Sequence, residues 1–196
     1  MSRPVTHDTE RILDAARELV LKDGTRAASV GAIAHASGAP VGTLYNRFAS
    51  REALLAETWF RALARFQAAY LQESSTTAHD PVAAGVAMAV SVVRFARTHP
   101  DDAQLLLSLR REDVFNADPA HERRLEAMNA PLRKAIGRLA RRLHGRAGAR
   151  EVARTTLAVV DLPYGAVRRY ARGSGEMPAW LEDEVADISR TLLARS

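Results

Sequence analysis

At 196 residues the chain can hold one domain of ordinary size or a small module joined to a larger one, and alanine (37), arginine (26) and leucine (21) supply 84 of those residues, which predicts an all-α protein because such side chains lose little freedom in a helix. Hydrophobic residues at 47%, charged residues at 26% and a formal charge of +5 exclude a disordered chain and permit an acidic partner such as nucleic acid without requiring one. The absence of cysteine excludes disulfides, thiolate metal sites and a cysteine nucleophile; with no run of about 18 apolar residues and no apolar leader, the expectation is a cytoplasmic protein with no membrane partner.

The first helix is predicted over about 8–22, from Ile12, Leu13, Ala16, Leu19 and Val20 at helical spacing, with Asp8 or Thr6 as cap and Gly24 as stop. Ser29 opens a short second helix with Val30, Ile33 and Ala34 inward, and Ser37-Gly38-Ala39-Pro40 breaks it. A third short helix follows over 41–48. Ser50 caps a long fourth helix, 50–72, carrying Leu54, Leu55, Trp59, Leu63, Phe66 and Tyr70, and a polar loop follows at 73–78. The segment 81–98 is apolar on most faces, which places it centrally in a bundle. His99-Pro100 ends it, and Asp101 or Asp102 can cap the next helix through Leu109. A loop is expected over 113–119, then a helix of about 25 residues to His144, and two more over 149–172 and 178–195. The layout is thus an N-terminal three-helix helix-turn-helix module (1–50) and a C-terminal helical bundle (51–196), about nine helices, with helix 50–72 connecting them.

The informative stretch is SVGAIAHASGAPVGTLYNRFASREALL, residues 29–55. Two helices of seven or eight residues joined by a glycine-containing turn form the geometry of a DNA-binding helix-turn-helix. Leu44 and Phe48, four apart, turn one stripe of the third helix inward. Gly42 and Asn46 then point almost opposite, with Thr43 and Tyr45 on the flanks. Thr43 suits a base edge or thymine methyl, Tyr45 and Asn46 suit phosphate or base, and Arg47 lies nearer the packed side. Ser29 and Arg51 begin helices two and four, whose unpaired N–H groups suit phosphate.

Ile33, Ala34, Gly38, Gly42, Thr43, Leu44, Tyr45, Phe48, Ser50, Arg51, Glu52, Leu54 and Leu55 together resemble the TetR family of bacterial transcriptional regulators. The resemblance implies a ligand-responsive repressor that binds a palindromic operator in double-stranded DNA as a homodimer and is released by a small-molecule effector. It places Ser29, Pro40, Val41, Gly42, Thr43, Tyr45, Asn46 and Arg51 at the DNA. Val41 and Gly31 stand where the family often has polar or basic residues. They sustain the alternative of a helical ligand-binding or protein-interaction module without specific DNA binding.

The resemblance also implies a ligand pocket and a dimer interface in the C-terminal helices. Pro163 interrupts a helical pattern, so the pocket candidates are Met88, Phe95, Leu106, Leu109, Phe115, Met128, Asp161 and Tyr164, with a plain core as the other reading. Stripes on the last two helices nominate Leu157, Val160, Val167, Arg168, Leu181, Val185, Ile188 and Leu192 for the interface. Residues 123–150 hold nine Lys/Arg against Glu126, which reads as a solvated face or, less simply, a second anion site. No H-E-x-x-H, Walker, G-x-G-x-x-G or G-x-S-x-G pattern occurs, and the six histidines lack ligand spacing. No enzyme, catalytic residue, metal site or cofactor is therefore expected.

Overall fold

The computed structural model describes residues 5–76, 79–109, 118–171 and 177–194. Among them every regular element is a helix, with no strand, and nine helices form. They are α1 (Val5–Asp23), α2 (Val30–Ser37), α3 (Val41–Arg47), α4 (Arg51–Thr76), α5 (Pro81–Thr98), α6 (Pro100–Ser108), α7 (Pro119–His144), α8 and α9 (Leu181–Ala194). The composite α8 runs through Ala149–Thr156, a π-helical turn Leu157–Asp161 and Leu162–Ala171.

The helix ends follow from local chemistry. Ser29 Oγ accepts from the Ala32 N–H at 3.1 Å, and Ser50 Oγ from the Ala53 N–H at 3.0 Å. Asp80 accepts from Val82 and Ala83 ahead of Pro81, a side-chain cap followed by a proline that has no N–H to satisfy. Gly24 and Gly38 end α1 and α2 at φ 81° and 69°, left-handed values that a side chain would strain. Residues 73–76, expected as the start of a polar loop, belong instead to α4, which continues through Thr76; the rest of that expected loop, 77–78, lies outside the described residues.

Two apolar clusters organise the chain. The first joins Ile12, Ala16, Ile33, Leu44, Phe48, Leu54 and Phe60 with Leu105 of α6 and Leu125 of α7. The second is built around α5, whose Met88, Val93, Phe95 and Ala96 are buried against α4, α6, α7, α8 and α9. Among the described residues, α5 is the one helix with the length and mean composition to cross a membrane, but Arg94 and Arg97 interrupt its apolar run. Its apolar faces are covered by the other helices, as the central position predicted for it requires. Gly85 lets α9 approach α5 closely: a Cβ there would meet Leu193 Cδ1 at 2.5 Å.

Asp102 does not cap α6. It is buried, and its carboxylate receives Arg17 of α1 at 2.6 Å and Arg65 of α4 at 3.1 Å. Arg61 and Arg65 extend this network to Glu10 and Asp14 of α1. Burial pushes the Asp102 pKa up, but the hydrogen bonds and charges of Arg17 and Arg65 outweigh it and hold the carboxyl below its ordinary value. The ion network therefore fastens α1 to both α4 and α6.

Pro163 is absorbed by the π-helical turn. Leu162 donates to the Leu157 carbonyl, five residues back, instead of to Ala158. Pro163 has no N–H to offer the Val159 carbonyl. Side chains from two other helices take these places: Ser189 of α9 donates to the Ala158 carbonyl at 3.0 Å, and Tyr70 of α4 donates to the Val159 carbonyl at 3.0 Å. Burial raises the Tyr70 phenol's pKa well above its ordinary value, so the hydroxyl remains a donor at every ordinary pH.

Candidate nucleic-acid interface

The third helix is held by its inward stripe. Leu44 and Phe48 are buried against α1, α2 and α4, while Tyr45 is 60% and Val41 46% exposed. Gly42, Asn46 and Pro40 are also exposed and Thr43 is half-buried, so the outward face carries a hydroxyl, a phenol, an amide and two small apolar side chains, Pro40 and Val41. This is a surface able to combine hydrogen bonds to base edges or phosphates with contact to a thymine methyl. A Cβ on Gly42 would meet nothing within 4 Å, which leaves this part of the surface low and open.

Ser29 is exposed at the start of α2, with its Oγ engaged as the cap. Arg51 is placed differently from its expected phosphate role. Its Nε donates to the Ala28 carbonyl at 2.9 Å and its Nη2 to the Thr25 carbonyl, so the guanidinium braces the α1–α2 loop. Sequence could not reveal this, because the acceptors are backbone atoms more than twenty residues away. Arg47, expected nearer the packed side, reaches back to Thr9 Oγ1 at 2.7 Å.

The ligand-pocket candidates separate. Phe95, Leu106 and Tyr164 line an apolar cavity of about 200 Å³ together with Trp59, Leu63 and Phe66 of α4, Val92 of α5 and Val167 of α8. Met88 is buried elsewhere in the second cluster, and Leu109 and Met128 pack against the first. Asp161 is exposed, and Phe115 lies outside the described residues. Trp59, Leu63 and Phe66 escaped sequence reasoning because they sit on a stripe that also reads as ordinary core. Phe66 and Phe95 meet edge to face across the cavity wall, with centroids 5.3 Å apart.

The interface candidates divide in the same way. Val167, Leu181 and Val185 are buried within the chain, whereas Leu157, Arg168 and Ile188 are exposed and Val160 and Leu192 half-buried. The basic face of α7 is exposed at Arg123, Lys134, Arg138 and Arg141, while Arg124 pairs with Glu57 and lies 4.3 Å above the Phe60 ring. No group of three or more potential metal ligands occurs among the described residues.

Residues 12–58, from α1 to the first turns of α4, match the family described as bacterial regulatory proteins, tetR family. This module is similar to the DNA-binding part of the TetR family. The match supports a DNA-binding role for residues 12–58. No curated protein sequence matches it. Solved structures of regulators share its fold over nearly the whole length. A transcriptional regulator from Rhodococcus sp. RHA1 is similar at TM-score 0.74 and 15% identity, covering 95% of this chain and 96% of its own. A TetR family transcription regulator from Marinobacter aquaeolei VT8 is similar at 0.72 and 20%, covering 95% of each chain. The fatty acid degradation regulator FadR from Bacillus halodurans is similar at 0.69 and 17%, covering 94% of this chain and 97% of its own. At these identities the likeness is one of fold.

Proposed function

We propose that the chain is a TetR-family transcriptional regulator, a cytoplasmic, homodimeric repressor that binds a palindromic operator and is released by a small apolar molecule. The observation that carries the reading is the dual service of α4. Its first turn closes the reading module through Leu54 and Leu55, and its middle supplies Trp59, Leu63 and Phe66 to the cavity wall. An occupant that pushes on α4 would move the module to which α4 is joined. Only a molecule preferring the displaced state would release DNA, since equal affinity for both states shifts nothing.

In this proposal residues 1–50 read DNA through Ser29, Pro40, Val41, Gly42, Thr43, Tyr45 and Asn46, and residues 51–196 bind effector and partner copy. Leu157, Val160, Arg168, Ile188 and Leu192 supply the face for a symmetric four-helix interface. The cavity lining carries no charged side chain, which favours a neutral effector because a buried ion without a partner is costly.

The test begins with selection of the purified protein's preferred sequence from random DNA. An enriched inverted repeat is expected, because a two-fold dimer reads two related half-sites. Neutral aromatic compounds that raise the melting temperature should weaken binding to that sequence. Leu106→Trp, which fills the cavity, should abolish the effect while sparing DNA binding. Selection without an enriched repeat defeats the repressor reading, and release that persists in Leu106→Trp moves the effector site elsewhere.

A further inference from the structure

The reading module is poor in available positive charge. Residues 1–55 hold seven Lys/Arg and six Asp/Glu, and several of these cations are already engaged. Arg17 belongs to Asp102, and Arg51 to the Thr25 and Ala28 carbonyls. Arg11 differs. It is exposed, it sits one helical turn from residues that do pair, and among the described residues no carboxylate pairs with it.

Its guanidinium is nevertheless placed. Arg11 Nη2 lies 3.5 Å from where a Cβ would stand on Gly38, the left-handed residue of the α2–α3 turn. There it borders a recess of about 100 Å³ shared with Ser37, Ala39, Pro40 and Thr43. The Ser37 hydroxyl is consumed locally, donating to the Ala34 carbonyl and accepting from the Ala39 N–H. The polar side chains left to an incoming group are thus the Arg11 fork and the Thr43 hydroxyl. Thr43 also flanks the reading face, so a duplex lying along that face passes this recess with its backbone.

We propose that Arg11 and Thr43 form a seat for one DNA backbone phosphate, with Arg11 supplying the charge that fixes the register of the recognition helix. The proposal rests on the DNA-binding reading and adds to it a contact from α1, outside the helix-turn-helix. A guanidinium presents paired N–H donors to phosphate oxygens, and backbone contacts of this kind position a reader without carrying sequence information.

The test is the salt dependence of binding, measured by fluorescence anisotropy over about 50 to 300 mM KCl. Wild type, Arg11→Ala and Arg11→Lys are compared on two duplexes, the sequence selected by the wild type and one of mixed sequence. Each lost phosphate contact lowers the slope of log K against log salt by about 0.9. Arg11→Ala is expected to lower it by that amount per protomer, weaken both duplexes by a similar factor and leave the melting temperature unchanged. Arg11→Lys should restore the slope with incomplete recovery of affinity. An unchanged slope in Arg11→Ala overturns the proposal, as does a loss confined to the selected sequence or a slope not restored by lysine. Wild type that binds neither duplex would instead overturn the DNA-binding reading itself.

Discussion

Replacing Asp102 by alanine tests the ion network that joins α1, α4 and α6. The carboxylate is 1% exposed as a residue and accepts from two guanidinia on separate helices. Removing one member of a buried pair costs about 3–5 kcal/mol, most of it from the charge left behind. Here the remainder is partly relieved. Arg17 keeps Asp14 and Asp101, each at 3.6 Å, and Arg65 keeps Glu10 at 3.1 Å. The cost therefore falls at the lower end, about 3 kcal/mol. For a chain of this size each kcal/mol shifts the melting temperature by about 2–4 °C, so a fall of about 6–12 °C is expected by calorimetry. The pH dependence supplies an independent reading. The folded-state pKa of Asp102 lies below its ordinary value, so its contribution is present above the unfolded pKa of about 3.9 and disappears as pH falls through the folded value. The gap between wild type and Asp102→Ala should hold at neutral pH and close in acid below about pH 4. A melting temperature unchanged at pH 7, or a gap constant down to about pH 2, would refute the assignment of stabilising charge to this carboxylate.

Tyr70→Phe keeps the ring but removes the donor to the buried Val159 carbonyl, and a loss of about 1–3 kcal/mol by urea unfolding is expected; a neutral result would mean that another donor replaces it. Leu44→Ala and Phe48→Ala should each destabilise by about 2–5 kcal/mol because both side chains are buried. Thr43→Ala and Asn46→Ala should leave thermal melting nearly unchanged, Asn46→Ala relaxing sequence preference in a binding-site selection and Thr43→Ala weakening binding to all sequences alike. Equal destabilisation by all four variants would show that the outward face has been misassigned.

The reading module was legible because its signals are local. The spacing of Leu44 and Phe48, the serine caps and the glycine turn act within a few residues, and each recurs in the structure. The Asp102 network was not legible. An aspartate beside His99-Pro100 has the appearance of a cap, and its partner Arg17 lies 85 residues away. Periodicity identified the stripes on α8 and α9 but could not say which neighbour each faces. Val167, Leu181 and Val185 consequently read as interface residues although they are buried within the chain. Pro163 announced a defect in α8; the π-helical turn and the donors Tyr70 and Ser189 that complete it depend on helices far away in sequence.

That turn amounts to one surplus residue wound into α8. Excising a single residue from Leu157–Asp161 would remove the π-helical turn and leave Pro163 to interrupt an α-helical segment, and everything downstream would rotate by about 100°, the angle of one helical residue. Tyr164 and Val167 would leave the cavity wall, and other residues would come to face it. The inserted residue thus sets the phase between the two halves of the helix. Relatives that lack it would present a different set of side chains to the same space, so pocket residues cannot be transferred between such proteins by position in an ungapped alignment.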